Sequence, residues 1–106
     1  MTSRIVTGGA LMRLQTLLKC AIDAFGADEI DIDYENGENV VYAMRNGTGL
    51  NIAKLDSEQW DEVSRELQRI KRPKTFSINQ KDYRISVSPY ESFGELQYVI
   101  KVDKIE

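Results

Sequence analysis

The sequence predicts an α+β domain, with an antiparallel sheet buried on one face by two helices. Three observations carry that reading: a switch in apolar period from 3.6 to 2, two Asn-Gly dipeptides ten residues apart, and a capped amphipathic stretch between two sets of alternating residues. The predicted order is α-βββ-α-βββ. A chain of 106 residues suits one domain. Residues 10–106 are expected to form it, with 1–9 as a flexible N-terminal tail ending in Gly8-Gly9.

From Ala10 to Phe25 the residues Leu11, Leu14, Leu18, Ala21 and Phe25 recur at helical spacing, and Leu17, Ile22 and Ala24 widen the stripe. Gly26 then suits a helix C-cap. In "DEIDIDYENG" the period becomes two, so Ile30, Ile32 and Tyr34 face inward and Asp31, Asp33 and Glu35 outward. Asn36-Gly37 and Asn46-Gly47 both suit type I′ turns, which implies a meander over 29–35, 39–45 and 48–54. Asp56 with Gln59 forms a capping-box signature. Trp60, Val63, Leu67 and Ile70 give the second helix a narrow apolar stripe, and Pro73 stops it. Inward rows follow at Phe76 and Ile78, at Tyr83, Ile85 and Val87, and at Leu96, Tyr98, Ile100 and Val102. The segment "SPYESFG", residues 88–94, reads as a longer connection exposing Pro89, Tyr90 and Phe93 as a protein-binding knuckle.

Composition narrows the chemistry. Apolar residues make up 42% and charged residues 29%, ordinary for a globular protein. The single cysteine, Cys20, cannot form an internal disulfide, and no apolar run approaches a membrane span. A cytoplasmic protein without membrane insertion is the expectation. The chain has no histidine and no Walker-type phosphate loop, so neither an enzyme nor a bound cofactor is expected. Taken as a calcium loop from Asp31, the sequence puts Asn36 where glycine belongs and Tyr42 where glutamate belongs.

The charge distribution says more than the net charge of -3, which gives nucleic-acid binding no support. Residues 27–38 hold six acids and no base, whereas 65–74 hold five bases and one acid. The acidic strip Asp31, Asp33 and Glu35 reads as a docking surface rather than a metal site. Arg65, Arg69, Lys71, Arg72 and Lys74 suit either a dipole-complementing helix end or contacts to phosphate or an acidic protein. Complementary segments of this kind favour a charged protein partner or a second copy of the chain.

Two stretches resemble a known family. In 75–102 the matching residues are Arg84-Ile85-Ser86, Pro89, Gly94-Glu95 and Val99-Ile100-Lys101; upstream, Ala27–Asp33 and the Asn46-Gly47 turn also match. The pattern is similar to the PAS-like N-terminal domain that precedes the ATPase core in type II secretion, type IV pilus and type IV secretion motor ATPases, over about residues 11–103. The resemblance implies a PAS-like fold, a secretion or pilus component as partner, and a basic face near Arg84 turned to nucleotide or a neighbouring subunit. The chain departs from the pattern with Val40, Tyr42 and Met44 in place of alternating arginines and Asp31 in place of histidine. It also lacks the ATPase core. The functional expectation is therefore a non-catalytic interaction or regulatory module, with Tyr42, Met44 and Arg84 among its contacts. Two other readings are a small acidic dimeric chaperone of the type III secretion kind and a PAS-like ligand-sensing domain.

Overall fold

The computed structural model describes residues 13–92 and 94–105. The expected tail 1–9, the predicted start of the first helix at 10–12 and the proposed contact Phe93 lie outside the described residues. Among the described residues two helices and six strands follow one another as α1 (Leu14–Phe25), β1 (Glu29–Glu35), β2 (Glu38–Arg45), β3 (Thr48–Leu55), α2 (Ser57–Arg69), β4 (Lys74–Ile78), β5 (Lys81–Ser92) and β6 (Glu95–Lys104). The strands form one antiparallel sheet in the order β3-β2-β1-β6-β5-β4. No helix among the described residues is long and apolar enough to cross a membrane.

Local chemistry sets most of these boundaries. Asn36 and Gly37 take φ of 51° and 81°, and Asn46 and Gly47 take 52° and 81°, so both dipeptides make the left-handed pair that a type I′ turn needs. Asp56 accepts from the Gln59 N–H at 2.8 Å while the Gln59 side chain accepts from the Asp56 N–H at 3.0 Å, a complete capping box on α2. Asp56→Ala is expected to lower stability by about 1 kcal/mol, read as a shift in the urea midpoint. Gly26 closes α1 at φ 59°, with its N–H given to Ile22 O at 2.8 Å. Arg13 offers α1 no side-chain cap; instead the Leu14 N–H donates to Glu66 Oε1 of α2 at 2.9 Å. That carboxylate satisfies one orphan donor and complements the positive end of the helix.

The core lies between the helices and one sheet face. Leu14, Leu17, Leu18 and Ala21 of α1 and Val63 and Leu67 of α2 pack with Ile30, Ile32, Val41, Ala43, Ile85, Tyr98 and Ile100 of the sheet. Trp60 of α2 meets Tyr98 with ring centroids 5.9 Å apart. Expected inward residues near the rim are less covered: Tyr34 and Leu96 are 42% and 50% exposed, and Ala24 faces solvent.

Two expectations need correction. Residues 88–92 are not a loop, because β5 continues to Ser92 and pairs with β6 through Ser92↔Glu95. Pro89 is tolerated there because β4 ends its pairing at Lys74↔Ile85, which leaves that side of β5 an open edge. Tyr90 therefore projects from a strand and forms no loop knuckle. The basic helix end is also shorter than expected: α2 stops at Arg69, and Lys71 and Arg72 lie beyond it.

Candidate functional site

The sheet face turned away from the helices holds the candidate site. Pairing registers fix its rows. Glu29 stands between Met44 of β2 and Lys101 of β6, and Asp31 between Tyr42 and Val99. Asp33 faces Val40 of β2, and on its other side the next residue of β6 is Gln97, which pairs with Tyr90 of β5. Thus Asp31, Asp33, Glu35, Tyr42, Met44 and Tyr90, dispersed in sequence, share one surface. That Tyr42 and Met44 join the acids follows from the first Asn-Gly turn, which sets Glu35 opposite Glu38 and so keeps even-numbered β2 residues on the acidic side.

Two tyrosines reach across this face. Tyr42 donates its hydroxyl to Glu35, at 3.0 Å from Oε1 and 2.9 Å from Oε2, and Tyr90 donates to Asp33 Oδ1. Each carboxylate raises its tyrosine above the ordinary phenol range, with burial the larger cause for Tyr90 and the Glu35 bond the larger cause for Tyr42. Val40 and Gln97 lie on the same face, only 3% and 1% exposed. Met44 packs over Gly49, where an added Cβ would stand 2.9 Å from its Sδ.

The acids differ in role. Asp28 is structural: its carbonyl accepts from Val102 N–H at 2.9 Å and its carboxylate from Asn46 N–H at 3.3 Å. Glu29 lies 3.3 Å from Lys101 Nζ, and Lys54 reaches Glu38 at 3.9 Å. Among the described residues Asp31 has no ion-pair partner. Burial, then the neighbouring Glu29 carboxyl and the charge of Asp33, push it up to about 7 against the opposing pull of Lys101. Among the described residues two buried side-chain oxygens lack a hydrogen-bond partner, Asp31 Oδ1 and Gln97 Oε1, and both are on this face. No three His, Cys, Asp or Glu side chains among the described residues come together as a metal site. Outward carboxylates of one strand stand about 6.5–7 Å apart, too far to converge on an ion without a loop.

The structure does not gather the basic residues with the acids. Arg65 and Arg69 are exposed on α2, in the helix layer behind the sheet, and Arg72 follows that helix. Arg84 does share the acidic sheet face, but near its β4 edge, paired with Thr75 and Asp103. Gln97 carries no sequence signal, because its alternation marks it as a solvent-facing polar residue; only the Tyr90 pairing across β5 and β6 singles it out. No protein-family model matches this chain, and no curated protein matches it.

Proposed function

We propose that this domain is a non-catalytic protein-interaction module that docks its partner on the acidic, tyrosine-bearing face of the sheet. One observation carries the reading: Asp31, Asp33, Glu35, Tyr42, Met44 and Tyr90 come together on the face the helices leave uncovered. Such a face offers aromatic and thioether contact area beside a stripe of like charge, which suits a basic partner surface. The resemblance to the PAS-like domain of secretion and pilus ATPases makes a component of such a machine the first partner to seek. Co-purification from cells that make the protein tests the reading with two variants. Capture is expected to survive Arg69→Glu/Arg72→Glu and to be lost with Asp33→Lys/Glu35→Lys; the reverse pattern overturns the proposed face.

A second reading, a chaperone-like or ligand-sensing domain, draws on the opposite side of the sheet. There Leu67, Ile70, Val87, Pro89, Leu96 and Tyr98 line an apolar groove of about 400 Å³. The chaperone form of that reading requires a dimer in light scattering.

A further inference from the structure

At the N-terminal end of α2 a cavity of about 480 Å³ opens between the helix and the sheet, within the size range of small-molecule sites. It lies on the helix side of the sheet, opposite the docking face. Tyr34 of β1, Asn39 of β2 and Leu55 of β3 form one row of the ladder and line it together. Trp60 and Asp61 reach it from α2.

Three features of the lining point to a ligand and to its charge. The first is Asn39, which is only 8% exposed and whose side-chain amide has no hydrogen-bond partner among the described residues. Unlike Asp31 Oδ1 and Gln97 Oε1, the Asn39 amide is not sealed, so it opens on the cavity. A polar group this deep is normally hydrogen-bonded. The second is charge: Glu38, Asp56, Asp61 and Glu95 line the cavity, with no lysine or arginine among the lining residues. Glu38 has Lys54 at 3.9 Å, whereas Asp61 and Glu95 have no ion-pair partner among the described residues. A helix N-terminus by itself favours an anion, but Asp56 already fills that place through the capping box. The third is the pair of rings, Trp60 and the 42% exposed Tyr34.

We propose that this cavity is a binding site for a linear aliphatic polyamine of the spermidine type. The proposal is independent of the docking face. The carboxylates come from α2, β2 and β6 and are dispersed, and no metal-ligating cluster forms among the described residues. Ammonium groups spaced along a chain answer such a set better than one compact ion does. The methylenes between them pack on Trp60, Tyr34 and Leu55, and an ammonium over a ring face gains cation–π attraction. The Asn39 amide oxygen accepts from an ammonium N–H, which is the hydrogen bond the chain itself does not supply.

Trp60 is the only tryptophan of the chain, so its fluorescence reports on the cavity directly. In a titration of the full chain with spermidine, a saturable change in Trp60 emission is expected. Asp61→Asn/Glu95→Gln is expected to weaken binding about tenfold, and Tyr34→Ala by about threefold to tenfold. All three residues are exposed, so these variants keep the fold. Asp82→Asn/Asp103→Asn makes the same charge change at the far end of β5 and β6 and is expected to leave binding unchanged. No saturable change, or equal weakening in both double variants, overturns the site. So does the same emission change with magnesium ions at equal concentration, which would mark diffuse attraction of any cation. N-acetyl-lysine methylamide binding as tightly as spermidine overturns the polyamine and assigns the cavity to a single ammonium, such as a partner's lysine side chain.

Discussion

Ile100→Ala is expected to destabilise the domain by about 3–4 kcal/mol, near the upper end for truncating an aliphatic core residue. Ile100 is fully buried at the middle of β6, opposite Ile30 of β1 and Val87 of β5. That strand joins the meander β3-β2-β1 to the hairpins β6-β5-β4, so its side chain packs where both halves of the sheet share a core. Truncation removes three carbons and leaves a cavity that two ladders hold open on either side, which limits relaxation. Domains of this size have roughly 5–15 kcal/mol in total, so the variant keeps little margin, and a fall in Tm of roughly 10–20 °C is expected. Leu96→Ala on the same strand is the control, because Leu96 is 50% exposed and its loss costs under about 1 kcal/mol. Equal losses at the two positions would show that β6 is not the shared centre of the core.

Leu96 and Ile100 also mark how far the sequence is legible. Alternation identifies the inward row of β6 but not the graded cover along it, which depends on where the helices end above the sheet. The strongest local signals hold because they are backbone chemistry: Asn-Gly turns and a capping box act within four residues, so no distant contact is needed to decide them. A third two-residue turn gives no type I′ signature because Asn79 and Gln80 carry it, at φ of 54° and 66°, and glutamine gives no left-handed signal. The end of β5 misleads for the opposite reason. Pro89 and Ser88 look like loop residues, and only the early end of β4 makes that edge tolerant of proline. The candidate site stands between these cases. Its acids are visible as an outward stripe on one strand, whereas the placing of Tyr90 and Gln97 beside them depends on pairing between segments over fifty residues apart.

That stripe gives the second large effect: Asp31→Asn is expected to stabilise the protein at pH 8 by about 1–2 kcal/mol and to be nearly neutral at pH 4. An unfolded aspartate titrates near 4, whereas in the fold Asp31 is pushed up to about 7. The folded state therefore binds this proton more tightly than the unfolded state. Its contribution to stability is fully present below about pH 4 and is lost as pH rises through about 7. The expected size is held below the full linkage value because Asp31 is partly open to solvent, which screens Glu29 and Asp33. Asparagine keeps the shape, removes the charge, and brings N–H donors to a place where two acceptors lack them. Thermal unfolding of both proteins across pH 4–8 measures the difference directly. A gap that stays constant with pH would mean Asp31 titrates normally. A gap of the opposite sign at pH 8 would mean that its carboxylate is already satisfied within the chain. An increase confined to high pH would show a charge retained at the cost of stability, as a group kept for binding commonly is.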